Sequence, residues 1–208
     1  MSPVPPSLFA RLRRKLLLAP AGYGRPIAPA VADGEYRSGA WAHFDQPAEQ
    51  PRQAAAVEYI MQVHAQPAVL DIGCGSGHLA QLLQPHPFHR YVGVDFSPEA
   101  LTRARALGLR NCEFIQGDFE TWRPAGKFHV IVFCESVGYA HDPGALVAAF
   151  LRWLEPGGAL VISYYRSGHW AALWRRIERH AGVFSSTTVT NERNQTWDIK
   201  LLHPVGSP

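Results

Sequence analysis

The run VLDIGCGSGH (residues 69–78) sets Gly73, Gly75 and Gly77 at alternate positions, directly behind aliphatic residues and Asp71. Glycines so spaced let the backbone approach a bound ligand closely, because no side chain stands between. Asp95 lies 20 residues beyond Gly75, at the end of a second aliphatic run. A carboxylate at that distance suits hydrogen bonds from the two hydroxyls of a ribose. The loop lacks the Gly-Lys-Ser/Thr of a phosphate-binding P-loop. It also departs from a dinucleotide fingerprint, whose third glycine position is held here by His78, too large for close helix–strand packing. Asp71 argues the same way: a carboxylate beside the glycines repels a pyrophosphate and attracts a ligand that carries a cation.

A second group of reactive side chains lies in FCESVGYAHDP (residues 133–143), behind another aliphatic run. Glu135, Tyr139 and His141 are each able to take a proton from an amine or a hydroxyl. A structural place at the start of the following helix serves His141 equally well. Cys134 ends an apolar run behind Phe133 and reads as a small buried thiol. The three cysteines, Cys74, Cys112 and Cys134, are scattered and odd in number, which excludes a disulfide framework. None of the ten histidines falls in an HxxxH or HExxH helix, and His86 and His89 sit in a proline-rich loop without carboxylates, so no metal site is expected.

These groups need a scaffold that gathers strand ends. A helix is expected around Pro6–Leu18, followed by irregular chain. Pro51 suits a first helical turn, and residues 53–65 form a helix with Val57, Ile60, Met61 and His64 on one side. Strands then follow at Ala68–Ile72, Tyr91–Asp95, Cys112–Gln116, Phe128–Phe133 and Ala159–Tyr164. The unbroken apolar character of the fourth predicts burial on both faces. Helices alternate with them: Gly77–Leu83, one capped by Ser97 with Pro98 and Glu99 in its first turn, Pro143–Leu154 stopped by Glu155-Pro-Gly-Gly158, and His169–Ala181. Trp170, Leu173, Trp174 and Ile177 line one face of the last as a core stripe. Val183–Thr190 and Thr196–Leu202 flank a polar turn and read as a hairpin. The alternation predicts an α/β chain with a mostly parallel sheet and an antiparallel edge, whose ligand lies beyond the carboxyl ends of the strands.

Residues 66–166 resemble, in order and spacing, the class I S-adenosylmethionine-dependent methyltransferases. VLDIGCGSG is similar to their first motif, YVGVDFSPEAL to the second, EFIQGDFETW to the third, FHVIVFCESVGYAHDP to the fourth and LRWLEPGGALVISYY to the fifth. The resemblance implies a Rossmann-like, seven-stranded, mostly parallel sheet with helices on both faces and a C-terminal antiparallel hairpin. It implies S-adenosyl-L-methionine as cofactor, with Gly73, Gly75 and Gly77 against its methionine and ribose portions and Asp71 facing its amino-acid end. Asp95 would hold the ribose hydroxyls and Phe96 cover the adenine; Asp118 would accept from the adenine amino group, with Phe119 on the ring. The segment GEYRSGAWAHF (residues 34–44) and the tail TWDIKLLHP (residues 196–204) are similar to the nodulation-type N-methyltransferase branch. That likeness implies a lid over residues 1–50, closing the site with Tyr36, Trp41 and Phe44, and a methyltransferase domain over residues 51–208. Many small-molecule relatives carry a Glu-His pair after the fourth strand; Tyr139 stands at the His position here, so the base stays open among Glu135, Tyr139 and His141.

Composition narrows the partners. An apolar fraction of 47% with 18% charged residues is that of a globular chain. No stretch reaches 18 uninterrupted apolar residues, so no membrane span is expected. The basic residues before three leucines at residues 16–18 precede too short an apolar run for a secretion signal, and a cytoplasmic location is expected. A net charge of +3, with arginines near residues 11–14 and 175–179 and no aromatic RNA motif, reads as solvated helix faces rather than a nucleic-acid surface. The sequence therefore predicts methyl transfer to an N or O atom of a small-molecule or sugar-bearing acceptor, by a monomer or homodimer with no nucleic-acid partner. Two other uses of the same site are a cyclase or lyase that consumes the cofactor, and a non-catalytic cofactor-binding domain.

Overall fold

The computed structural model describes residues 29–41, 44, 46–166, 168 and 170–206. The expected helix at Pro6–Leu18 lies outside them. Where irregular chain was expected before residue 50, helix α1 spans Pro29–Arg37, and a 3₁₀ turn at Pro47–Glu49 leads into α2, Gln50–Val63. Strands and helices then alternate: β1 Ala68–Ile72, α3 His78–Leu83, β2 Arg90–Asp95, α4 Pro98–Ala106, β3 Cys112–Gln116 and β4 Phe128–Cys134. After a 3₁₀ turn at Val137–Tyr139 come α5 Pro143–Leu151, β5 Leu154–Tyr165, α6 Trp170–Ile177, β6 Ala181–Thr190 and β7 Thr196–Pro204.

The seven strands form one sheet in the order β3-β2-β1-β4-β5-β7-β6, parallel except where β7 pairs antiparallel with β5 and β6. Helices cover both faces, which is why β1 is buried along its whole length and β4 along most of it. One core packs α5 and α6 against the sheet through Phe150, Leu173, Trp174 and Ile177. The other packs α2, α3 and α4 through Ala56, Ile60, Leu83 and Leu101.

Helix starts follow local chemistry. The Ser97 hydroxyl accepts from the Ala100 N–H with Pro98 in the first turn, and Asp142 accepts from Gly144 and Ala145 before Pro143 opens α5. Two helix ends fall earlier than the sequence predicts. Helix α5 stops at Leu151, and residues 155–158 lie within β5, because Leu154 already pairs with Phe128 and the ladder slips to Val130–Ala159 around Gly157 at φ 75°. Helix α6 stops at Ile177, since Ala181 pairs with Pro204 and begins β6. In both cases a strand partner far along the chain claims residues that local propensity leaves to the helix. No helix among the described residues is long and apolar enough to cross a membrane.

Candidate active site

Strands β1 and β4 are neighbours whose next partners lie on opposite sides, so a crevice opens where their carboxyl ends diverge. The loop after β1 turns there. The N–H groups of Gly73 and Cys74 both donate to the Val94 carbonyl, at 2.8 and 3.1 Å, tying the loop to the end of β2. Gly73 sits at φ 77°, and a Cβ on it would come within 2.4 Å of Ser136 Cβ; Ser136 donates to the Ile72 carbonyl from the loop after β4. A Cβ on Gly75 (φ 54°) would come within 2.7 Å of the Tyr36 hydroxyl. Left-handed backbone and lack of space both require glycine at these two positions. Gly77 serves packing instead: it backs onto Ala104 and Phe114 and does not line the cleft.

Asp71 and Asp95 face this loop from below. Asp71 is 1% exposed; its Oδ2 accepts from the Tyr91 hydroxyl, and its Oδ1 has no hydrogen-bond partner among the described residues. Burial pushes its carboxyl up to about 7, with the Tyr91 hydrogen bond acting against the rise and Asp95 adding to it. Asp95 is held by two backbone donors, Gly75 N–H on Oδ2 and Ser97 N–H on Oδ1, each at 2.9 Å. Burial raises its pKa as well, and those donors oppose the shift. Phe96 and Phe119 line the cleft beyond it. Asp118 does not: it is exposed, and its Oδ1 caps the Glu120 N–H at 2.9 Å.

The roof is aromatic. Tyr36 on α1 stacks on Trp41, Trp41 stacks on Phe44, and Tyr139 meets Trp41 edge-on, with centroids 5.9, 5.6 and 6.2 Å apart. Arg103 on α4 donates to the Tyr36 carbonyl at 2.8 Å, and the Ser97 hydroxyl donates to Asp33, so α4 carries the roof. Burial, with Asp95 nearby, keeps the Tyr36 hydroxyl protonated at any physiological pH.

The far wall is a buried charge cluster. Arg52 on α2, 2% exposed, donates from Nε and Nη2 to Glu49 Oε2 at 3.1 and 3.0 Å, and from Nη1 to Ser163 Oγ at 3.3 Å. The Ser163 hydroxyl in turn donates to Glu135 Oε1 at 2.8 Å, while the Tyr165 N–H donates to Glu135 Oε2 at 3.1 Å. Glu135 adopts φ 59°, a left-handed conformation that costs a residue with a Cβ about 1–2 kcal/mol. Burial raises its carboxyl pKa, and Arg52 is the main opposing influence. Beside it, burial pushes the Cys134 thiol up to about 12, where it is no nucleophile at neutral pH. Of the three proton acceptors expected from the sequence, Glu135 and Tyr139 line the cleft. His141 does not: its side chain is 77% exposed and its Nδ1 lies 3.2 Å from Glu120 Oε1.

Sequence reasoning passed over Arg52, Gln53 and Glu49. The signal was present: Arg52 occupies the first position of an i, i+3, i+4, i+7, i+8 stripe completed by Ala55, Ala56, Tyr59 and Ile60, all buried. A charge on an apolar stripe asks for a buried partner.

A glycine loop at the switch point, a backbone-held carboxylate at the end of the next strand and an aromatic roof define a nucleoside-binding member of the α/β class. A methyltransferase-domain family model matches residues 35–195, and the chain belongs to that family, of the class I S-adenosylmethionine-dependent type. Trans-aconitate 2-methyltransferase of Azoarcus sp. (strain BH72) is 38% identical over 100 residues, which are 48% of this chain and 39% of that protein. The matched stretch thus spans less than half the length of that relative. The N-methyltransferase NodS from Bradyrhizobium japonicum WM9, in complex with S-adenosyl-L-homocysteine, shares the fold at a TM-score of 0.69 and 20% identity, covering 79% of this chain and 91% of that one. Magnesium protoporphyrin IX methyltransferase from Synechocystis PCC 6803, with bound S-adenosylmethionine, superposes at a TM-score of 0.68 with 13% identity, over 88% of this chain and 100% of the other.

Proposed function

We propose that this chain moves the methyl group of S-adenosylmethionine to an N or O atom of a small acceptor held under the aromatic roof. The observation that carries the reading is the pair of carboxylates at the glycine loop. Asp71 keeps one buried oxygen without a donor among the described residues, which the cofactor's ammonium group would supply, and Asp95, held by two backbone N–H groups beside the glycine loop, would accept from the ribose hydroxyls. Phe96 and Phe119 give the adenine apolar faces. Arg52, the one Arg or Lys lining the cleft among the described residues, is the partner for the cofactor's carboxylate. When bound, the cofactor supplies an electrophilic methyl and its own leaving group. The chain's part is alignment, exclusion of water by Tyr36, Trp41 and Phe44 from the segment up to residue 50, and a proton acceptor after β4. Glu135 and Tyr139 line the cleft, which supports them for that last task; His141 does not line it. The relatives' names, a trans-aconitate methyltransferase and an N-methyltransferase, support a small acceptor and divide on the atom.

Calorimetric titration of the folded protein with S-adenosylmethionine and S-adenosylhomocysteine tests the reading. Binding with Kd between about 1 μM and 1 mM, the usual span of substrate affinities, is expected; no binding by folded protein removes it. Steady consumption of S-adenosylmethionine without any acceptor, and without S-adenosylhomocysteine as its product, would instead favour a lyase or cyclase.

Asp71 gives that binding a pH dependence. A carboxyl titrating near 7 is protonated below it, and only its ionised form attracts the ammonium group. Affinity is therefore expected to rise with pH between ~5.5 and ~7.5, a window below the titration of the cofactor's own α-amino group, with proton release on binding. Tyr91→Phe removes the hydrogen bond that holds the carboxyl down, so the rise should move to higher pH. Titrations in two buffers of different ionisation enthalpy read both effects, and a flat profile would refute the assignment.

A further inference from the structure

The atom that receives the methyl group can be argued from what the cleft still lacks once the cofactor is placed, so this inference rests on the reading above. The walls carry an excess of acceptors. Asp71 and Asp95 are taken by the cofactor's ammonium and ribose hydroxyls. Gln53, 5% exposed and also lining the cleft, donates its Nε2 to the Phe44 carbonyl at 3.2 Å, but its Oε1 has no hydrogen-bond partner among the described residues. Glu135 receives one donor on each oxygen, Ser163 Oγ and Tyr165 N–H, and a carboxylate accepts about four. Both donors are neutral. The only cation near it among the described residues, Arg52, is held by Glu49 through Nε and Nη2 and reaches Glu135 through Ser163, so two buried carboxylates share one guanidinium. That leaves an excess negative charge at the wall, and burial makes such an excess costly.

We propose that the acceptor is an amine, received as an ammonium group between the Glu135 carboxylate and the Gln53 side-chain carbonyl, beneath the faces of Trp41, Phe44 and Tyr139. An ammonium group brings three donors and the missing positive charge, and aromatic faces receive a cation well. A neutral hydroxyl would fill the Gln53 acceptor and leave the charge uncompensated. A tricarboxylate such as the trans-aconitate in the relatives' name would add negative charge to a cleft whose lining acids are Asp71, Asp95 and Glu135 and whose one guanidinium among the described residues already serves Glu49 and the cofactor's carboxylate. Glu135 then has a chemical task. It takes one proton from the ammonium nitrogen and becomes a neutral carboxylic acid; the freed lone pair forms the N–C bond as the methyl–sulfur bond breaks, its electron pair leaving on sulfur. The product is the methylated ammonium, and Glu135 returns its proton to solvent.

The test uses protein saturated with S-adenosylhomocysteine and three probes of one size: 2-phenylethylamine, 2-phenylethanol and 3-phenylpropionate. Calorimetry should show the amine binding at least ~10-fold more tightly than either other probe, because a hydrogen bond to a charged group exceeds a neutral one by about that factor. Glu135→Gln should erase the amine's advantage, with affinity for S-adenosylhomocysteine changed less than ~3-fold as the control for a folded site. Gln53→Leu should weaken the amine more than the carboxylate. The proposal is overturned if the alcohol or the carboxylate binds as tightly as the amine, if the amine does not bind, or if Glu135→Gln binds it as the wild type does. Failure of S-adenosylhomocysteine itself to bind refutes the underlying reading, and this inference with it.

Discussion

Asp95→Ala is expected to weaken binding of S-adenosylhomocysteine by at least ~100-fold while the protein stays folded. Two hydrogen bonds from ribose hydroxyls to a carboxylate are lost, each worth about 1.5–3 kcal/mol, and a tenfold change in affinity takes only about 1.4 kcal/mol. The loss does not stop at the ligand. The same carboxylate fixes the Gly75 N–H and the Ser97 N–H, so alanine also frees the glycine loop and the turn into α4. Asp95→Asn should bind almost as poorly. Its amide keeps one acceptor oxygen but turns an NH₂ group toward a backbone N–H, a donor against a donor. Calorimetry beside a thermal melt separates the two consequences: a cofactor contact alone lowers affinity with little change in Tm, whereas loop loosening lowers both. Binding within ~3-fold of wild type by a folded Asp95→Ala protein would place the ribose elsewhere.

Arg52→Met should destabilise the fold by about 3–5 kcal/mol, the usual cost of removing one partner from a buried charge cluster. The guanidinium is 2% exposed and Glu49 4%, so water cannot take its place. Methionine fills the volume beside Phe44 and Trp197, over whose rings the guanidinium now lies at 5.6 and 5.9 Å, but it leaves Glu49 and Glu135 without a cation among the described residues. For a chain of this size that cost lowers Tm by roughly 10 °C. The sign with pH follows from the carboxylates. Without Arg52 the Glu135 carboxyl, already raised by burial, rises further above its unfolded value, so its neutral form is favoured in the fold. The variant's deficit should therefore shrink as pH falls and widen as pH rises. Adding Glu49→Leu to Arg52→Met should recover part of the stability, since it removes one of the stranded charges. A thermal melt series across pH reads all three effects; a Tm within ~2 °C of wild type would show that water or Ser163 replaces the guanidinium.

Much of this protein is written locally. The mainly apolar runs at 68–72 and 128–133 read as buried strands because both sheet faces are covered, and Ser97 and Asp142 announce their helices through bonds spanning two or three residues. The glycine loop and Asp95 are legible for the same reason: a closely approaching backbone and a carboxylate at a strand end need particular residue types at a fixed spacing. What failed was set by distant partners. The start of β5 depends on Phe128, and that of β6 on Pro204.

The same division holds inside the site. The sequence by itself determined the class of fold, the cofactor loop and which stretches meet at the strand ends, because these rest on periodicity and on contacts within a few tens of residues. Only the tertiary structure decided which side chains from those stretches share the cleft. Arg52 reaches Ser163 across 111 residues of chain, while His141 and Asp118, equally plausible by type, turn outward to bond with Glu120. A buried charge cluster is a property of three-dimensional neighbours: its cost and its compensation exist only once water has been excluded from Arg52, Glu49 and Glu135 together, and no local pattern along the chain carries that information.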